Sequence, residues 1–285
     1  MSRQVYVNGS FVAEASAQIS VFDRGFLFAD AVYEVTAVLD GGLVDFPAHQ
    51  KRLQRSLSEL DIPFDPITAD LLAIHREIIR LNHLNEGLVY LQVSRGSADR
   101  SFLKPQGMDP SVVLFTQSSS LEHTPEAEYG VRVITRPDLR WHRRDIKTTQ
   151  LLYPSLVKSE AVAKGVFDTW MVEDGCITEA SSSNAHIITN DGVLVTRPVS
   201  HDILHGITRA AVLAYAREQG MLVEERLFTL AEALAAREAF ITSATAFVTP
   251  VIEIDGQPVG SGSVGPGVRR MRALYIAESR QRLTH

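Results

Sequence analysis

Lysine is scarce in this 285-residue chain: five stand at positions 51, 104, 147, 158 and 164, against 23 arginines. Arginine serves almost wherever charge alone is wanted. A lysine in an apolar setting is therefore a candidate for amine chemistry, and Lys147 is that lysine, in Asp145-Ile146-Lys147-Thr148-Thr149-Gln150-Leu151-Leu152. Desolvation loosens an ammonium's proton, and the neutral amine can form a Schiff base. On this stretch alone, a lysine that snorkels from a strand end, or pairs with Asp145, is the simpler reading.

Other residues suggest an anion site. Gly206-Ile207-Thr208-Arg209 sets a glycine and a hydroxyl at the opening of a helix, Thr242-Ser243-Ala244-Thr245 brings hydroxyls after a strand, and Arg52 can grip a phosphate bidentately. Singly, each has a plain structural alternative: a cap, a turn, a covered helix face. Together with Lys147 and Glu179 they suggest pyridoxal phosphate, which needs a lysine, a phosphate cup and a partner for its ring nitrogen.

Other patterns fail on context. Gly260-Ser261-Gly262-Ser263-Val264-Gly265 follows a hairpin, with Pro266 next, so it reads as a loop rather than a dinucleotide site. His201 and His205 lie four apart ahead of a helix with no third ligand in view, so no metal is expected. Ser181-Ser182-Ser183 has no nucleophile-elbow spacing. Cys176 is the only cysteine, which excludes an internal disulfide and a cysteine cluster. A net charge of −6 with no basic stripe argues against nucleic acid. No apolar run nears the ~20 residues that span a bilayer. The first residues show no signal region, so the expected location is cytoplasmic.

The elements that must position these residues form two α+β domains. Residues 4–12 alternate around Asn8-Gly9 as a hairpin, and 18–21 reads as a short strand. The second half of 23–35 alternates like a strand. Leu53, Leu57 and Leu60 share a helix face after Pro47, as do Leu71, Ile74, Ile78 and Leu81 within 69–82. Strands follow at 87–95 and 112–116. The polar stretch after 116 marks a boundary, giving domains 1–118 and 124–285 about a linker, 119–123. In the second, strands are expected at 131–135, 169–172, 221–226 and 239–242, and hairpins at 185–195 and 252–259. Helices are expected at 154–164, 206–219, 230–237 and 268–282, with 178–183 a polar segment between apolar ones.

Five segments, in order and over nearly the whole chain, resemble the fold-type IV pyridoxal-phosphate transaminases, most closely the bacterial D-amino acid transaminases. They are Asp23-Arg24-Gly25-Phe26 through Val32-Tyr33-Glu34-Val35, His49-Gln50-Lys51-Arg52-Leu53, Asp145-Ile146-Lys147, Thr178-Glu179-Ala180-Ser181-Ser182-Ser183-Asn184, and Ile203-Leu204-His205-Gly206-Ile207-Thr208-Arg209. The resemblance implies a smaller N-terminal domain and a larger C-terminal domain with a barrel-like sheet. It implies Lys147 as the Schiff-base lysine and proton shuttle of a ping-pong reaction from a D-amino acid to a 2-oxo acid. It implies Glu179 at the ring nitrogen and Leu204 against the ring. Arg52, Ser182, Ile207, Thr208, Ser243, Ala244 and Thr245 would hold the cofactor. For the substrate carboxylate it implies Tyr33 and Arg100, the latter supplied by a neighbouring subunit, hence a homodimer with its active site at the subunit interface.

Departures from the family pattern bear on the substrate. Phe102 stands at a histidine position and cannot donate to a carboxylate. Arg24 and Arg95 are the candidate helpers. Ala29 and Ala31 stand where glycine is common, and Ala244 where a threonine is. Branched-chain L-amino acid transaminases usually have Phe-Glu-Gly, and aminodeoxychorismate lyases Phe-Glu-Thr, where this chain has Tyr33-Glu34-Val35. A less polar carboxylate site leaves an (R)-amine transaminase as a further alternative.

Overall fold

The computed structural model describes residues 2–285, in two compact units. The first runs to Ser120 and takes in Ile146–Gln150 and Arg282–His285; the second is Leu121–Asp145 with Leu151–Gln281. The lysine segment thus belongs with the first unit, whereas the sequence boundary assigned everything from 124 onward to the second.

In the first unit, β1 (Gln4–Val7) and β2 (Ser10–Ala13) form the hairpin at Asn8-Gly9, whose φ angles of 45° and 96° suit a tight turn. Residues 18–21 are not a strand. They lead into a one-turn helix, α1 (Arg24–Phe28), capped by Asp23, which accepts from Gly25 N at 2.8 Å. There follow β3 (Ala31–Leu39), β4 (Gly42–Leu43), α2 (Phe46–Glu59), α3 (Leu71–Leu81), β5 (Gly87–Ser94) and β6 (Ser111–Ser118). The strands make one antiparallel sheet, in the order β2-β1-β6-β5-β3-β4.

Strict alternation gives this sheet two unlike faces. Val32 and Thr36 on β3 and Val89, Leu91 and Val93 on β5 are buried. Tyr33, Val35, Leu88, Tyr90 and Gln92 point the other way and stay half-buried. Helix α2 buries Leu53 and Leu57 as its periodicity predicts, and α3 buries Leu71 and Ile78, with His75 and Ile79 in place of Ile74 and Leu81.

The second unit comprises α4 (Pro125–Tyr129), β7 (Val131–Pro137), α5 (Leu152–Ala163), β8 (Asp168–Glu173), β9 (Cys176–Ala180), β10 (Asn184–Ile188), β11 (Leu194–Thr196), α6 (Ile207–Glu218), β12 (Val223–Glu225), α7 (Leu230–Ala235), β13 (Glu238–Ser243), β14 (Phe247–Ile254), β15 (Gln257–Pro258) and α8 (Pro266–Gln281). Its nine strands run β12-β11-β10-β13-β14-β7-β8-β9, with β15 beside β14. Strand β7 is parallel to both its neighbours. Val133, Trp170, Ile177, Ile187, Phe228 and Ile241 form the centre of its core. Strand β9 runs into the stretch 178–183, read from sequence as a polar segment. Thr178 and Glu179 are buried there because Asp138 and Arg140 satisfy them. Among the described residues no helix is long and apolar enough to cross a membrane.

Arg272, on α8, is buried and donates to four backbone carbonyls: Ala246 and Val248, each at 2.9 Å, and Leu121 and Glu122 at 2.6 and 2.8 Å. Arg272→Met strips these carbonyls of their donor. It should cost roughly 3 kcal/mol in urea unfolding; a loss below about 1 kcal/mol would mean that water replaces the guanidinium.

Candidate active site

Lys147 is fixed from its backbone outward. Its carbonyl accepts from Tyr33 N at 3.0 Å, and Thr149 N donates to Ala31 O at 3.1 Å, so the segment lies along the start of β3. Lys147 N donates to Ser56 Oγ on α2 at 3.4 Å. The side chain is half-buried, with Nζ 4.2 Å from the Tyr33 ring centroid. The amine has no ion-pair partner among the described residues. Asp145, the partner that the sequence offered, takes Arg143 at 3.0 Å. Tyr33 stacks on Tyr90 at 5.6 Å, and Tyr90 on Phe115 at 4.7 Å, across three strands of the half-buried sheet face. Burial and the neighbouring Tyr33 push the Tyr90 hydroxyl up, so it stays a neutral donor, 2.9 Å from Gln92 Oε1.

Arg52 lies in a buried polar stripe on α2, His49-Arg52-Ser56, one turn before the serine that holds Lys147. Glu34 reaches down from β3 to meet it. Arg52 Nε donates to Glu34 Oε1 at 2.8 Å and Nη2 to Oε2 at 2.7 Å, while His49 Nδ1 donates to Oε2 at 2.8 Å. Burial alone would raise the Glu34 carboxyl; Arg52 and His49 outweigh it and bring it down to about 2.

Arg24 and Arg95 are both committed elsewhere. They share Asp30, at 2.8 and 2.7 Å. Arg24 also donates to the carbonyl of Ser101 at 2.7 Å, and Arg95 to those of Leu60 and Asp61 at 2.6 and 2.8 Å. Arg24 thus holds the loop around Arg100, and Arg95 the C-terminal end of α2. Arg100 itself is exposed and has no ion pair among the described residues; its guanidinium stands 5.5 Å from the Phe28 ring centre and 5.3 Å from that of Phe102. Ala29 ends α1 at φ 53°, a left-handed angle that glycine adopts without strain.

In the second unit, Glu179 on β9 is fully buried and met by three donors: Arg140 Nη1 at 2.5 Å on Oε1, Asn184 Nδ2 at 2.9 Å on Oε2, and Leu204 N at 3.1 Å on Oε2. Burial pushes its carboxyl up, and Arg140 offsets that only in part. Asn184 also donates to Leu204 O at 3.0 Å, tying Glu179 to the loop before α6. A Cβ on Gly206 would lie 1.9 Å from Asn184 Oδ1, so only glycine fits there. Gly206 is the N-cap of α6, and no side chain caps that helix, which leaves its first N–H groups available to an anion.

Thr208 is buried in that first turn, its Oγ1 3.4 Å from Tyr275 Oη. Ser243, Ala244 and Thr245 form the half-buried turn from β13 into β14, where Ser243 Oγ accepts from Ala246 N at 3.1 Å. Leu204 and Ile207 are half-buried beside Gly206, and Ser182 is exposed at the β9–β10 turn. Sequence reasoning missed Asp138, Arg140 and Asn184 around Glu179, and Ser56 beneath Lys147. Arg140 meets Glu179 from 39 positions away and Ser56 meets Lys147 from 91, so no local pattern marks them; Asn184 stands five positions from Glu179, and only the burial of Glu179 demands it as a partner.

Residues 31–254 match the family model described as Amino-transferase class IV. A D-alanine aminotransferase of Bacillus licheniformis is 38% identical over 263 residues, which cover 92% of this chain and 92% of the relative. One from Staphylococcus aureus (strain MSSA476) is 35% identical over 271 residues, covering 94% and 95%. Among solved structures, the branched-chain amino acid aminotransferase of Escherichia coli superposes with a TM-score of 0.89 at 25% identity, covering 97% of this chain and 94% of that one. The branched-chain aminotransferase of Thermoproteus uzoniensis with norvaline gives 0.87 at 27%, covering 98% and 95%. The chain belongs to the class IV aminotransferases, and its fold is fold type IV.

Proposed function

We propose that the protein is a pyridoxal-phosphate transaminase that takes the amino group of a D-amino acid such as D-alanine and passes it to a 2-oxo acid. The observation that carries the chemistry is Lys147: a half-buried amine with no ion pair among the described residues, over Tyr33, held by backbone bonds to β3 and α2. The D-amino acid preference rests on the 38% and 35% identical D-alanine aminotransferases.

The residues present fit the cofactor. Glu179 is a buried carboxylate awaiting a positive partner, and the uncapped start of α6 with Thr208 suits a phosphate. Arg52, Ile207, Thr208, Ser243, Ala244 and Thr245 would hold the phosphate, Leu204 the ring and Glu179 the ring nitrogen, with Ser182 a further cofactor contact. Bound pyridoxal phosphate supplies an electron sink conjugated to the substrate's Cα. Lys147 would bind it, and Nζ would take the Cα proton and return it. Tyr33 and Arg100 orient the α-carboxylate.

Arg100 acts in this reading on a second copy of the chain, as part of a homodimer in the cytoplasm. Its exposure supports that, as does the company of Phe22, Phe26, Phe102 and Leu103, which are 52%, 69%, 81% and 80% exposed. Arg100→Ala should raise KM for D-alanine about tenfold or more, while a substrate amine without a carboxylate is unaffected. An unchanged KM would take Arg100 out of the site. The decisive experiment is the amine half-reaction followed by absorbance. Loss of the visible band of the lysine-linked cofactor with D-alanine supports the reading. Loss only with L-leucine transfers the protein to the branched-chain class, and loss only with (R)-1-phenylethylamine to the amine transaminases.

A further inference from the structure

Glu179 is the inner end of a row of charges of alternating sign in the second unit. Glu173 takes Arg144 bidentately, at 2.8 and 2.9 Å. Arg144 lies 3.4 Å from Asp138, and Asp138 takes Arg140 bidentately, Nε at 2.9 Å and Nη2 at 2.6 Å. Arg140 spends its remaining nitrogen, Nη1, on Glu179 at 2.5 Å. The side chains of Asp138, Arg144, Arg140 and Glu179 are 0%, 1%, 12% and 4% exposed.

Three carboxylates and two guanidiniums leave the row one negative charge in excess. Of the two terminal carboxylates Glu179 is the more buried, 4% exposed against 23% for Glu173, and there burial drives a carboxyl to take up a proton. A sixth member of positive charge at Glu179 would complete the alternation. On the functional reading above, that member is the protonated ring nitrogen of the cofactor.

From this geometry we infer that Arg140, locked in place by Asp138, is the positioning residue that keeps Glu179 an anion and so keeps the proton on the cofactor's ring nitrogen. Arg140 does not touch the reacting atoms. It acts through Coulomb attraction on a carboxylate at hydrogen-bonding distance, in a setting with little water to screen it. The guanidinium lies closer to the carboxylate than to anything beyond it. Its loss therefore makes the carboxylate more basic than it makes the ring nitrogen. The proton then moves from nitrogen to oxygen, leaving a neutral acid beside a neutral ring. Asp138 takes two of the three guanidinium nitrogens and the Arg140 backbone N–H, at 3.2 Å, which fixes the direction in which Nη1 points.

The test loads the full chain with pyridoxal phosphate labelled at its ring nitrogen and reads that nitrogen by NMR, alongside the half-reaction with D-alanine. The wild-type nitrogen should be protonated across neutral pH. Arg140→Met should move it to the neutral-pyridine position and slow the half-reaction about 100-fold. Arg140→Gln, which keeps an amide donor, should shift it the same way should the methionine variant not fold. Arg140→Lys, which keeps the charge, should leave the nitrogen protonated. In a Glu179→Gln background, Arg140→Met should change the nitrogen no further, because no carboxylate remains to be ionised.

A nitrogen that stays protonated in both neutral variants, or an equal further loss in the Glu179→Gln background, would reduce Arg140 to a structural residue. Wild-type protein that binds no cofactor through Lys147 removes the functional reading and this one with it. Normal wild-type binding with unresponsive Arg140 variants removes this one alone.

Discussion

Lys147→Ala should abolish both the lysine-linked cofactor band and transamination, with a loss of turnover of about ten-thousand-fold or more. On the functional reading, Lys147 would hold the cofactor and carry the Cα proton, and the variant loses both. The fold should not notice. Lys147 holds its place through backbone groups, to Tyr33 N and Ser56 Oγ, and its amine makes no ion pair among the described residues. Stability of the cofactor-free variant should therefore stay within about 1 kcal/mol of wild type. Catalytic collapse with intact folding identifies a chemical role. Retained turnover would remove Lys147 from the reaction, and collapse of both would make its part structural.

The second large effect belongs to Glu34. Glu34→Ala removes the buried carboxylate that takes Arg52 Nε and Nη2 and should cost about 3 kcal/mol in urea unfolding. The pH dependence carries the same information with a definite sign. The Glu34 carboxyl is held down at about 2 in the folded chain, against 4.5 for an ordinary glutamate. Its contribution is thus fully present above the ordinary value and lost as pH falls from about 4.5 towards 2, amounting to about 3 kcal/mol. His49, lowered chiefly by burial, adds in the same direction. The wild-type protein should lose stability steeply over that acid window, and Glu34→Ala should have a flatter acid limb. Parallel limbs would show that Glu34 is not the titrating group. Because Glu34 also aims Arg52, the variant's cofactor affinity should fall about tenfold on the functional reading.

Much of this was legible because the signal was periodic. The alternation in Leu88-Val89-Tyr90-Leu91-Gln92-Val93 reports a sheet with one covered face, and β5 has that burial pattern. The spacing of Leu53 and Leu57 likewise reports the face of α2 that is buried. Helix α1 was invisible because five residues around Gly25 are too few for a period. Residues 18–21 have the composition of a strand but no neighbour to pair with. Strand β9 was obscured by Thr178 and Glu179, polar residues buried only because Asp138 and Arg140 meet them from 40 and 39 positions away. Arg24 and Arg95 were candidate carboxylate helpers, and nothing in the sequence showed that both take Asp30.

The return of Ile146–Gln150 to the first unit bears on how the chain is made. A chain emerging from the ribosome at about 5–20 residues per second would expose β3 well before the segment that hydrogen-bonds along it. For roughly the time needed to synthesise the intervening stretch, the edge of the first unit at Ala31 and Tyr33 waits unpaired. The second unit is meanwhile interrupted between Asp145 and Leu151. Neither unit is a contiguous module. A single genetic crossover between relatives near residue 120 would combine one parent's β3 with the other's lysine segment. Segments that meet at Tyr33 and Lys147 must therefore change together, which ties the inheritance of the lysine to that of a strand more than 100 residues earlier in the gene.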